Sequence, residues 1–200
     1  WCRVPFTPLD QINSDAVHEM LSAVRTLSRC CGSVGALRTA VGAAPSRGVH
    51  VEARLAELGY ELPTPAAPKG SYVLCTKTGN TLFLAGHLPM ALDGTLIKGK
   101  VGRDLSVEEG AQAAELVAIN FLATLKAELG DLDKIKRIVK LVGFVNCTDD
   151  FTEQPQVING CSNFLGLVLG DVGVHARSAV GTNALPLNVA VECEAIVEVD

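Results

Sequence analysis

The chain has no apolar run long enough to cross a bilayer, so no helical membrane span is expected. None of its seven cysteines forms a Cys-x-x-Cys pair, and their number is odd. Cys2, Cys30 and Cys31 stand near the start, and Cys75, Cys147, Cys161 and Cys193 are scattered through apolar segments. That spacing argues against a disulfide framework or a zinc ribbon and for free thiols buried in a reducing compartment. His50, His87 and His175 show no metal-ligand pattern, and Gly79, Gly86, Gly94 and Gly99 form no phosphate loop. No metal and no cofactor are expected. Cations are also in short supply, with 17 Lys and Arg against 22 Asp and Glu. Residues 1–48 hold five basic against three acidic residues, and 49–200 hold twelve against nineteen. The acidic body disfavours a nucleic-acid surface, because such affinity comes mainly from cations neutralising phosphates.

One local absence points to an address. No acid stands between Glu19 and Glu52, while four Arg and several Ser and Thr lie between Met20 and Gly48. Arg-rich, Ser-rich and acid-poor is the composition of a mitochondrial or plastid transit peptide, so residues 20–48 are expected to direct the protein to mitochondria; the alternative is a disordered tail of unspecified use on a cytoplasmic protein. Residues 1–19 fit no pattern, and Met20 is a candidate start. The whole of 1–48 is expected as a disordered extension, and 49–200 as one folded domain.

With 48% apolar residues the chain has ample material for a core. Val51 to Leu58 has helical spacing. Tyr72 to Lys77 and Thr81 to Ala85 read as strands joined through Thr78-Gly79-Asn80, a hairpin signal. Thr95 to Lys100 is a candidate short strand. Ser106-Val-Glu-Glu109 is a capping box opening a helix of about six turns, in which apolar residues recur at three and four up to Leu129 and Gly130 stops it. Ile135 to Asn146 is the longest strand candidate, with Ile138, Val142 and Phe144 on one face and Val139, Leu141 and Val145 on the other. A strand apolar on both sides is expected at the centre of a sheet, covered twice. Thr152 is placed to cap a second helix that ends at Gly170.

The last 26 residues organise the rest. From Val189 onward, apolar residues alternate with Glu192, Glu194, Ile196 and Glu198, a strict period of two. Arg177 to Thr182 reads as a strand before it, and Asn183 to Pro186 as a turn, which predicts a terminal hairpin with Arg177 and Glu192 facing one cleft. Two helices cover only one face of such an α+β sheet. The other face must then be covered by another domain or another subunit, and self-association is the more economical expectation.

Arg177-Ser178-Ala179-Val180, Leu185-Pro186 and Val191-Glu192 resemble the C-terminal signature of the Rid family. Its members are reactive intermediate deaminases, also called YjgF-type proteins or L-PSP endoribonucleases. Gly70-Ser71-Tyr72-Val73 is similar to the family's Gly-Pro-Tyr segment, and Ala85-Gly86-His87-Leu88-Pro89 to its Ser-Gly-Gln-x-Pro turn. Lys140 to Asn146 with Asp150-Phe151 resembles its central strand and following turn. The likeness covers about Lys69 to Asp200. It implies a chorismate-mutase-like α+β sandwich, a mixed sheet with two helices on one face, assembled as a homotrimer. Ala179 stands where archetypal members carry Cys, His87 where they carry Gln, and the arm before Lys69 is longer.

The resemblance also implies roles. Arg177 holds the carboxylate of a 2-imino acid, Glu192 positions or activates water, and Tyr72, Asn159 and the backbone of Ala179 contact substrate. On residue chemistry alone, Arg177 reads equally as a clamp for a small carboxylate or as a surface arginine. Glu192 reads as a proton-transfer group or as one more solvated glutamate, and Tyr72 as a ligand contact or an interface aromatic. Three functions follow. The first is hydrolysis of 2-imino or 2-enamino acids to 2-keto acids and ammonia in clefts between subunits. The second is a trimer that binds small carboxylates without turnover, and the third, least favoured by the charge, is an endoribonuclease.

Overall fold

A computed structural model describes residues 50–65, 67–68 and 70–200. The expected extension and transit peptide lie outside the described residues. Helix α1, Val51–Glu57, buries Val51 and Leu55, and its first amide donates to Asp133 Oδ1 at 2.9 Å. Strands β1, Cys75–Thr78, and β2, Thr81–His87, pair antiparallel with Thr78 opposite Thr81. The Gly79-Asn80 turn between them needs the positive φ of 54° that Gly79 supplies. Tyr72 to Leu74, expected in the first strand, precede it. Thr95 to Lys100 does not become a strand and makes only isolated bridges, Leu96 with Met90 and Lys98 with Val189.

Helix α2, Val107–Leu129, carries the expected capping box and ends at Gly130 in the left-handed conformation. Helix α3, Gln154–Leu169, starts later than expected. Its N-cap is Glu153 rather than Thr152 and no side chain caps it, while Pro155 in its first turn has no N–H to satisfy. The two helices pack closely because small residues meet. A Cβ on Gly160 would lie 1.9 Å from the Ala111 carbonyl oxygen, whereas one on Gly166 of the same helix would meet nothing within 4 Å. Gly160→Ala is therefore expected to lose about 1–3 kcal/mol by prising the helices apart. Gly166→Ala should gain about 0.5–1 kcal/mol from helix propensity. Denaturant midpoints of the two variants check the opposite signs.

The sheet has five strands in the order β1-β2-β5-β3-β4. β3 is Ile135–Asn146, β4 Ala176–Thr182 and β5 Val191–Val199. The terminal hairpin is not formed. β3 lies between β4 and β5, parallel to the first and antiparallel to the second. The chain between β4 and β5 steps over the end of β3, where Asn146 donates to Val189 O at 3.1 Å and Asn188 Oδ1 at 3.2 Å. β5, with its strict alternation, takes the centre. Val191, Cys193, Ala195, Val197 and Val199 are buried under the helices, and the glutamates face away.

β3 lies beside the edge strand and is covered on one face only. Register shifts near Arg137 and Ile138 put Ile138 on the same covered face as Leu141 and Val145, both fully buried. Its other face is open, with Val139 exposed and Val142 and Phe144 half-buried. Phe83, Val180 and Ile196 lie on that open side as well, the first two exposed and Ile196 half-buried.

Candidate functional site

Two groups of polar residues flank the sheet. The first rests on α3. Arg177 pairs with the buried Leu141 in parallel register, so its side chain emerges on the helix face of edge strand β4. There Nη1 donates to Asn159 Oδ1 at 2.9 Å and to Ser162 Oγ at 3.0 Å. Nη2 donates to the Pro155 carbonyl at 3.3 Å. Nε–H and one Nη2–H remain without a partner among the described residues, donors that a carboxylate can take. No carboxylate pairs with this cation among the described residues.

Ser162 is held in turn by His175. The Nδ1 of His175 faces the Gly173 carbonyl at 2.6 Å and must carry the proton. Nε2 then accepts from Ser162 Oγ at 3.0 Å, which leaves the hydroxyl's lone pairs for Arg177. Ala179 lies two residues along β4 on the same face, against the core.

The second group surrounds a cavity of about 370 Å³ whose wall includes Tyr72, Gly86, His87, Leu187 and Glu192. Glu192 emerges on the open face, next in sequence to the fully buried Cys193. Gly86 makes room for it, because a Cβ there would sit 1.9 Å from Glu192 Oε1. Burial, and then the neighbouring charge of Glu194, raise the Glu192 pKa above the usual carboxylate value. His87 is 6% exposed. Its Nδ1 donates to Ala85 O at 2.7 Å and its Nε2 accepts from Thr124 Oγ1 at 2.8 Å. Leu187 and Asn188 both have φ of 57°, a strained conformation for Leu that is held by the Asn146 bonds to the same loop. Spacing gave no hint of a role for Asn146, Leu187 or Ser162. The one available signal was that Asn tolerates positive φ, which marks Asn188 as a tight-turn residue.

Arg177 and Asn159 are thus in direct contact, with Ala179 beside them, and Tyr72 and Glu192 share a cavity. Arg177 and Glu192, expected to face one cleft across a hairpin, project from opposite faces of the sheet with β3 between their strands. Cys147, Cys161 and Cys193 are buried free thiols, and burial pushes the Cys75 thiol up to about 11. At that value it is a poor nucleophile.

A model of the family described as "YjgF/chorismate_mutase-like, putative endoribonuclease" matches residues 52–198. The chain belongs to this YjgF family. Among YjgF relatives, it is 44% identical over 152 residues to Protein TCP17 of Trypanosoma cruzi, covering 76% of this chain and 95% of that one. It is similar to the crystal structure of Atu1372 from Agrobacterium tumefaciens at 50% identity and a TM-score of 0.71, covering 76% and 94% of the two chains. It is also similar to RidA of the Antarctic bacterium Psychrobacter at 26% identity and a TM-score of 0.50, covering 68% and 94%. The five-stranded mixed sheet with its helices is the YjgF chorismate-mutase-like fold.

The buried His87 and the half-buried His175 make stability acid-sensitive. Burial is the first cause that lowers the pKa of both His87 and His175 from the ordinary 6.5. The unfolded chain therefore binds protons at a higher pH than the folded one. Their contribution is full above 6.5 and is lost as pH falls from there through the lowered folded values. Glu192, raised, acts with the opposite sign, since its contribution is full below the ordinary 4.5 and lost as pH rises through the folded value. Unfolding midpoints are expected to fall between about pH 7 and about pH 5.5, and less steeply in His87→Gln, whose amide makes the same two bonds without titrating.

Proposed function

We propose that the protein hydrolyses 2-imino and 2-enamino acids to 2-keto acids and ammonia, in clefts between subunits of a homotrimer. The observation that carries this reading is the state of Arg177. A guanidinium oriented by Asn159, Ser162 and Pro155, with Nε–H and one Nη2–H unpartnered among the described residues, is prepared for a small carboxylate. Glu192 supplies the complementary group. A carboxylate whose pKa is raised by burial is suited to take a proton from water and return it to a leaving amine. Water adds to C2 of the imine, the C–N bond breaks, and ammonia departs with the proton that water gave up. This chemistry needs no protein nucleophile, so Ala179 is no obstacle. The open apolar face, with Phe83, Val139 and Val180 exposed, favours association with further copies.

The test is ammonia release from iminobutanoate generated in place by an amino-acid oxidase, with sedimentation and RNA cleavage measured on the same preparation. A trimer that releases ammonia and leaves RNA intact is expected. A stable monomer at micromolar concentration contradicts the shared cleft. Carboxylate binding without ammonia release favours the binding-protein reading, and RNA cleavage alone favours the nuclease.

A further inference from the structure

The wall of the cavity beside Glu192 is mostly apolar, with Leu74, Leu88, Met90 and Leu96 among its residues. His87 presents no free nitrogen there, since both are already bonded. Asn120, on α2, differs from its neighbours. It lines the cavity and is only 6% exposed. Both hydrogens of its amide go to carbonyls, Met90 O at 2.8 Å and Leu116 O at 2.7 Å. Two carbonyl partners fix the amide's orientation, because Oδ1 cannot face either of them. Its Oδ1 is left as an acceptor with no partner among the described residues, on a wall whose other polar side chains are Tyr72, His87 and Glu192.

We propose that Asn120 is the specificity residue of this cavity. It selects ligands whose side chain is apolar along its length and ends in an O–H or N–H donor. The inference rests on the reading of the site as a 2-imino acid site and names the substrate class within it. The wall holds no Lys or Arg, so it excludes acidic side chains, which gain no partner in return for their lost hydration. A cavity of about 370 Å³ falls in the range of roughly 300–1,000 Å³ typical of small-molecule sites, so it admits a ring as well as a short aliphatic chain. Discrimination comes from this acceptor. A ligand with a donor at its tip satisfies Oδ1, whereas the same ligand without one leaves Oδ1 desolvated and unpaired.

The test uses two pairs of probes that differ by one hydroxyl. The stable 2-oxo acids 4-hydroxyphenylpyruvate and phenylpyruvate are titrated by calorimetry. The fragments p-cresol and toluene, which lack a carboxylate, are followed by NMR at the Asn120 side-chain amide. The hydroxylated member of each pair is expected to bind about tenfold tighter or more. In Asn120→Leu that preference should shrink to about twofold, mainly through weaker binding of the hydroxylated probe. If 2-oxo acids bind without hydroxyl preference, or Asn120→Leu keeps the preference, this inference is overturned while the imine reading stands. If neither 2-oxo acid binds but p-cresol is preferred over toluene, the imine reading falls and the role of Asn120 stands. If no probe of either pair binds, the inference is overturned. Should Asn120→Leu fail to fold, the wild-type preferences decide, together with an amide shift seen with p-cresol and not with toluene.

Discussion

Arg177→Lys is expected to bind small carboxylates nearly as poorly as Arg177→Ala, with a loss of roughly 2–5 kcal/mol in each. The reason lies in how the arginine is held. Nη1 is committed to Asn159 and Ser162 and Nη2 to Pro155, so the plane is fixed before ligand arrives. A lysine ammonium keeps the charge but has neither the plane nor enough donors to satisfy α3 and grip both oxygens at once. Asn159 Oδ1 and the Pro155 carbonyl would compete with the ligand for it. Ala179→Cys serves as the contrasting variant and should change little, because the proposed chemistry uses only the backbone at that position. Calorimetry with a 2-keto acid on the three variants checks the order. Wild-type affinity in Arg177→Ala would place the carboxylate site elsewhere.

Glu192→Gln should behave in the opposite way. The amide keeps the shape of the carboxylate, so binding survives, while turnover falls by about 10²–10⁴ if the carboxylate moves the proton. The pH dependence carries the same assignment. Only ionised Glu192 can take a proton from water, and burial holds its pKa above the usual 4.5. Wild-type turnover should therefore rise with pH through that raised value, and this limb should vanish in the residual activity of Glu192→Gln. The measurement is kcat for imine hydrolysis across the acid range for both proteins. An unchanged kcat would leave Glu192 as a packing residue beside Gly86.

Local pattern was legible wherever one strand or one helix decided the outcome. The capping box at Ser106, the stop at Gly130 and the alternation of β5 appear where the spacing put them, because each depends on residues a few positions apart. The family likeness was carried by short motifs, and it fixed the fold as a whole. What the spacing did not reveal depends on distant partners. Nothing local says that β3 inserts between β4 and β5, since the turn residues after Thr182 suit a hairpin as well as a step over a neighbouring strand. The register shifts near Ile138 move a side chain to the other face without disturbing the apolar pattern. Asn159 was legible only as a family position, and its bond to Arg177 becomes visible once β4 lies beside α3. Asn120 sits among helical apolar residues and shows its free acceptor only when Met90 and Leu116 are seen to take both its hydrogens.

Arg177 and Glu192 leave opposite faces of one sheet, so the proposed site takes Arg177 from one copy and Glu192 from another. Mixing Arg177→Ala with Glu192→Gln tests this directly. Each variant alone is expected to be nearly inactive. After co-refolding at equal ratio, random assembly gives about a quarter of the clefts both intact residues, in a ring with head-to-tail interfaces. Imine hydrolysis should then recover to about a quarter of the wild-type rate by the same count. A mixture that stays as inactive as its parents, while sedimentation shows that mixed trimers have formed, would contradict the shared site.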